Sequence, residues 1–222
     1  MKGDAVALFV KQLQIGPMQN FVYLIGPADG REVAVVDPAW DLDAILGAVR
    51  AEGKELVAAL VTHHHQDHIN ALAPLLSALP TVRAYAQRKE VEFSAELQAL
   101  GERLTAVDPG ESVAVGELGV KCMHTPGHTP GSQCFHAESA VFTGDTLFIC
   151  GCGRCDFPGG DPEAMFDSLH RVLGGLPDET IVYPGHDYAD RPTSTIAAEK
   201  GFNPYFLHRD LASFVSFRMR PR

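Results

Sequence analysis

The first half of the chain alternates short apolar runs with polar breaks, and the runs have the length and residue type of strands. Ala5–Leu13, Phe21–Ile25, Val33–Asp37 and Leu56–Thr62 are rich in Val, Ile, Leu and Phe and are punctuated by Gly, Pro and Asp. Between the third and fourth runs the period changes. In Asp41–Glu52 the apolar residues Leu42, Ile45, Leu46 and Val49 recur at helical spacing, and Gly53 follows as the closing residue. The pattern predicts a further helix over Ile69–Leu79, a strand over Thr81–Ala86 and a helix over Ser94–Leu104. A second strand series follows at Ser112–Val115, Leu118–His124, Gln133–His136 and Ala140–Thr143. Asp161–Leu173 predicts a helix with Pro162 at its first position, then a strand over Glu179–Tyr183. Ser194–Lys200 and Arg209–Phe217 have helical character.

A strand-rich start followed by a recurring strand-and-helix series predicts two packed sheets with helices outside, in the α/β class. Residues 1–222 are read as one domain, long enough to bury a core without covalent staples. Charge then removes one class of partner. The net charge is −10 and Lys and Arg are scattered, so the clustered cationic footprint of a nucleic-acid binder is missing. Met1–Val10 has no apolar core of signal-peptide length, and no run approaches the roughly 18 apolar residues that cross a bilayer. A soluble, cytoplasmic protein with no membrane partner is expected. Five cysteines, an odd number without a disulfide framework, fit a reducing compartment.

The candidate chemistry begins where the fourth strand ends. Val57–Thr62 is a buried-strand sequence, and His63-His64-His65-Gln66-Asp67-His68 follows without a break. Side chains two apart on extended chain share a face, so His63 and His65 point at one ion. Asp67 and His68 follow the turn into a helix and reach a second position. His64 faces away and is read as a supporting residue or a bystander. Imidazole and carboxylate are borderline ligands that suit Zn, Mn or Fe. A lone histidine here would be a helix cap or a solvated loop residue. Four potential ligands in six residues favour metal.

Three further candidates repeat the layout of a strand followed by a ligand. His128 lies in a loop stiffened by Pro126, Gly127, Pro130 and Gly131, Asp145 ends Val141–Asp145, and His186 ends Ile181–His186. Each alone reads as a turn residue. Cys150, Cys152 and Cys155 form a C-x-C-x-x-C cluster that suits a soft metal or thiol exchange. They are read instead as small loop residues near the pocket, and Cys122 and Cys134 as buried strand residues.

The combined pattern, His-x-His-x-Asp-His and then His, Asp and His, resembles the metallo-β-lactamase superfamily from about Phe21 to Pro204. The resemblance implies an αβ/βα four-layer sandwich of two mixed β-sheets flanked by helices, with metals at one edge. It implies two divalent ions, Zn first, with Fe or Mn also compatible. Site one would be His63, His65 and His128, and site two Asp67, His68 and His186, with Asp145 bridging. The implied chemistry is a metal-bound hydroxide attacking a carbonyl, with Asp67 and Asp145 the catalytic carboxylates.

Departures narrow the family. β-Lactamases of the best-known class carry Cys where Asp145 stands, flavodiiron members carry Glu where His65 stands, and the nuclease members' clamping region is not found. Thr125–Ser132, Gly144–Phe148 and Gly151–Arg154 resemble glyoxalase II, which hydrolyses thioesters such as S-lactoylglutathione. With 36 residues after His186, the helical extension with which longer members grip glutathione is expected to be absent, leaving Arg154 and Tyr188 as the residues expected to meet a small glutathione-type substrate, with a surface salt bridge the alternative reading for Arg154. Gly151–Phe157, Tyr183–Tyr188, Ser194–Ile196 and Asn203-Pro204 also resemble the persulfide dioxygenases, which hold one Fe(II) on the equivalents of His63, His128 and Asp145. Gly131-Ser132 and Met18–Phe21 look more hydrolase-like. A third reading, a metal-binding module without turnover, shares every motif. The resemblance also allows a homodimer, although no exposed apolar stripe marks an interface.

Overall fold

The computed structural model describes residues 6–220, so Ala5 of the first predicted strand and the segment Met1–Ala5 lie outside the described residues. Twelve strands form two sheets. The first contains β1 (Leu8–Ile15), β2 (Asn20–Pro27), β3 (Glu32–Val36), β4 (Glu55–Leu60), β5 (Arg83–Gln87) and β6 (Leu104–Val107), ordered as in the chain. The second contains β7 (Ser112–Val115), β8 (Leu118–His124), β9 (Gln133–Ala137), β10 (Ala140–Gly144), β11 (Ile181–Pro184) and β12 (Ser194–Thr195), in the order β12-β11-β10-β9-β8-β7. Both sheets are mixed, with β3 to β6 mutually parallel in the first and β10 parallel to β11 in the second.

The alternation of side chains along each strand builds the layers. On β2, Val22 and Leu24 face the outer helices, while Phe21, Tyr23 and Ile25 face the other sheet. On β10, Phe142 points between the sheets and Val141 to the outside. Three cores result. The first joins the first sheet to α1 (Leu42–Ala51), α3 (Leu72–Ala78) and α5 (Ala95–Gln98) through Ile45, Val49, Leu72, Leu75 and Leu97. The second lies between the sheets. There Tyr23 meets Phe142 and Tyr183 edge-on, with its hydroxyl donating to the Pro184 carbonyl. The third joins the second sheet to α6 (Pro162–Asp167), α7 (Ile196–Phe202), α8 (Pro204–Leu207) and α9 (Leu211–Arg218). This is the four-layer αβ/βα sandwich. No helix among the described residues is long and apolar enough to cross a membrane.

Several stretches differ from the sequence pattern, among them Ser194-Thr195, which pair with β11 as β12 before α7 begins. The helix expected over Ser94–Leu104 ends at Gln98, and after a 3₁₀ turn at Gly101–Arg103 the chain becomes β6. Gly101 sits at φ +54°, which breaks the helix, and the β-branched Thr105 and Val107 pair with Tyr85 and Gln87. The helix expected from Ile69 to Leu79 is split between α2 (Gln66–Ile69) and α3, so His65 caps the first piece. The short helix α4 (Arg88–Phe93) had no periodic signal, because its residues are mostly charged.

Candidate metal centre

The strands set the site. Because β3 and β4 run parallel, as do β10 and β11, the chain leaves each of them at the same edge, and Asp37, His63, Asp145 and His186 all emerge there. The sheets are joined at this edge by Phe21 N donating to Gly185 O at 2.8 Å and by Gln133 N donating to Thr62 O at 2.9 Å. Gly144 sits at φ +48° with Thr62 packed where a side chain would be, since a Cβ would lie 2.4 Å from Thr62 Oγ1. Any larger residue would push the Asp145 strand away from the His63 strand.

Among the described residues, His63, His65 and His128 form one cluster of convergent donor atoms, and Asp67, His68 and His186 form another. Asp145 lies between them. Its Oδ2 is 3.5 Å from His128 Nε2, and its Oδ1 is 3.2 Å from His68 Nε2 and 3.4 Å from His186 Nε2. All seven residues named from the sequence are therefore brought together. Their ring nitrogens face each other, with His128 Nε2 2.9 Å from His65 Nδ1 and His68 Nε2 3.1 Å from His186 Nε2. His63 Nε2 is buried and has no hydrogen-bond partner. A buried nitrogen left unpaired costs about 1–3 kcal/mol, and a cation would satisfy it. The donor set and this orphaned nitrogen fit divalent metal.

Three of the rings are fixed through Nδ1. His68 Nδ1 meets Asp37 Oδ2 at 3.0 Å, His128 Nδ1 donates to the Arg154 carbonyl at 2.6 Å, and His186 Nδ1 donates to the Met18 carbonyl at 2.9 Å. These contacts leave Nε2 free toward the centre. Asp37 also accepts from Thr62 N and Oγ1, which explains why an aspartate holds φ +51° there. His64 turns away from the centre and gives its Nδ1 to Glu90 Oε1 at 2.6 Å. The fully buried Glu90 also accepts from His64 N, Thr129 Oγ1 and Gly131 N, so one carboxylate links the loops that carry His65 and His128.

Burial, with the neighbouring His128 ring, lowers the His65 pKa to about 4, leaving its lone pair open at neutral pH. Burial would raise Asp67 and Asp145, yet the hydrogen bonds and charge of His68 and His186 hold both below the usual carboxylate range. Burial would lower His186, but hydrogen bonds to Asp145 and Asp67 outweigh it and raise the ring to about 9.

The donors open on a cleft of about 830 Å³ whose walls include Met18, Phe148, Phe157, Tyr188, Tyr205 and Phe217. Tyr188 stacks on His186 at 4.6 Å and is half exposed, which leaves its hydroxyl free to meet a ligand. Arg154 also lines the cleft, but its guanidinium forks onto Asp156 at 2.8 and 2.6 Å and lies over the Phe157 ring. Of the cysteines, Cys152 and Cys155 are buried beside the cleft and Cys150 is exposed at φ +59°. None of the five forms a disulfide.

Asn20, Asp37, Thr62 and Glu90 were not found from the sequence. Asp37 had a usable signal, since it ends an apolar strand in the same layout as Asp145.

Residues 15–186 match the Metallo-beta-lactamase superfamily, and the chain belongs to it. Among its relatives is a probable polyketide biosynthesis zinc-dependent hydrolase, PksB, of Bacillus subtilis, 34% identical over 90% of this chain and 88% of that protein. The mitochondrial persulfide dioxygenase ETHE1 of Homo sapiens is 32% identical over 91% of this chain and 77% of that one. A probable hydroxyacylglutathione hydrolase of Schizosaccharomyces pombe is 36% identical over 78% of this chain and 66% of its own length. The crystal structure of ETHE1 from Myxococcus xanthus superposes with a TM-score of 0.86 at 34% identity, covering 96% of this chain and 92% of that one.

Proposed function

We propose that this protein is a dinuclear metal-dependent hydrolase of a small glutathione-type thioester, in the manner of hydroxyacylglutathione hydrolases. The observation that carries the reading is the completeness of both donor clusters on either side of Asp145. The persulfide dioxygenases share the full ligand motif, so the metal count decides between one ion and two. The relatives named as hydrolases support the same choice.

His63, His65 and His128 would hold one ion, Asp67, His68 and His186 the other, and Asp145 would contact both. When bound, divalent ions supply a water nucleophile usable at neutral pH and positive charge for an oxyanion. The chain does the rest. Asp67 and Asp145 stay ionised and hold a proton acceptor within reach of the attacking side. The aromatic walls bury the acyl and thiol portions and exclude water. Arg154 swings from Asp156 to a substrate carboxylate, a small cost because solvent screens an exposed ion pair. Tyr188 contacts the amide portion.

A second reading, a mononuclear iron persulfide dioxygenase, is favoured by the near full-length match to ETHE1. The two are separated by assaying one metal-loaded sample on both substrates, with and without air. Cleavage of S-lactoylglutathione without O₂ is expected; its absence, together with O₂ uptake on glutathione persulfide, overturns the hydrolase reading.

The protonation of His186 adds a prediction. With its pKa near 9, the ring carries a proton at pH 7.5 that it must lose to act as a ligand. Loading zinc at pH 7.5 is expected to release at least one proton per chain, read by calorimetry in buffers of different ionisation enthalpy. The release from this ring falls away as pH rises through about 9, where the proton has already left. A release independent of pH across that range contradicts the assignment of His186.

A further inference from the structure

Resting on the two-ion reading, we propose that Trp40 and Asn20 form a positioning pair that sets Asp67 for the second cluster and thereby governs whether a second ion is held. Asn20 opens β2 and is 1% exposed. Its Nδ2 donates to the Asp67 carbonyl at 2.9 Å and to Asp67 Oδ2 at 3.0 Å. That same Oδ2 lies 3.3 Å from His186 Nε2 and 3.4 Å from His68 Nε2. The Asn20 backbone also bridges to His186. One residue thus touches Asp67 through its side chain and His186 through its main chain.

A side-chain amide has a donor end and an acceptor end of nearly the same shape. Reversed, Asn20 would set its oxygen against the Asp67 carboxylate. Trp40 decides the orientation, because indole Nε1–H only donates and it donates to Asn20 Oδ1 at 2.7 Å. Trp40 is itself held against its backbone preference. It sits at φ +61°, a region that bulky residues rarely adopt. It is kept there by its own N–H donating to Asn70 Oδ1 and by the bare face of Gly16, where a Cβ would lie 2.3 Å from the indole. Strain of this kind persists where surrounding contacts impose it, and here the contacts lead to Asp67.

Neither residue touches the His63, His65 and His128 cluster, which leans on Glu90 and the Arg154 carbonyl instead. The two clusters should therefore respond separately. The test is calorimetric titration of zinc into the chelator-stripped full chain, for the unmodified protein, Asn20→Ala and Trp40→Phe. The unmodified protein is expected to bind two ions. Asn20→Ala is expected to weaken the second by about 10–100-fold while the first stays within about twofold, the range for loss of an outer hydrogen-bond partner. Trp40→Phe keeps an aromatic ring beside Gly16 while removing the N–H together with the second ring of the indole. It should weaken the second ion by roughly three- to tenfold, the worth of one hydrogen bond. Because Trp40 is partly exposed, that variant also decides the matter if Asn20→Ala does not fold. Two ions bound with unchanged affinities in Trp40→Phe overturn the positioning role and leave the two-ion reading standing. Equal weakening of both sites overturns it too, as a merely structural effect. A single ion in the unmodified protein removes the two-ion reading and this inference with it.

Discussion

Asp145→Ala is expected to reduce thioester turnover by at least about 10²–10³-fold, the loss that follows removal of one preorganised electrostatic group, and to lower the affinity for both ions. The reason is its position: one oxygen faces His128 and the other faces His68 and His186. Among the described residues no other carboxylate faces both clusters through its two oxygens. Asp67→Ala is the informative companion. Asp67 belongs to one cluster alone, so its loss should leave the His63, His65 and His128 cluster loaded while still crippling a dinuclear hydrolase. A mononuclear iron enzyme would only be weakened. Steady-state kinetics with a metal count on each variant reads both outcomes. Most of the thioesterase activity surviving in Asp67→Ala contradicts the role assigned to the second cluster.

Removing the metals is expected to cost stability as well as activity. Without ions, four buried or nearly buried imidazoles and two low-pKa carboxylates are crowded around one centre, with His63 Nε2 unpaired. A ligand present at a thousand times its dissociation constant stabilises the folded state by about 4 kcal/mol. For a chain of this size, 1 kcal/mol corresponds to roughly 2–4 °C in Tm. Chelation should therefore lower Tm by roughly 8–16 °C, reversed by adding zinc, in a scan of stripped and reloaded protein. An unchanged Tm would mean that the clusters are not loaded in the purified protein.

The parts legible in the sequence share one property: their signal is local. His63, His65, Asp67 and His68 follow directly on an apolar strand, and His128, Asp145 and His186 stand at the ends of apolar runs or in Gly- and Pro-rich loops. The layer architecture was readable for the same reason, since β2 and β3 carry unbroken apolar sequence suited to burial on both faces. The supporting residues were not readable, because their partners lie far along the chain. Glu90 sits in Arg88-Lys89-Glu90, which reads as a solvated face, and only the fold brings His64, Thr129 and Gly131 to it. Asn20 meets Asp67 across 47 positions. Arg154 lies in between. Its place beside the cleft followed from the motif, and the surface salt bridge that is its alternative reading is present as a fork onto Asp156, two residues on.

The most direct test of a dinuclear thioester hydrolase is a metal count by plasma emission on the same sample whose turnover of S-lactoylglutathione and of glutathione persulfide is measured with and without air. Two ions per chain with turnover that needs no O₂ is the predicted result. One iron per chain, no thioester cleavage and O₂ consumed on glutathione persulfide would contradict it.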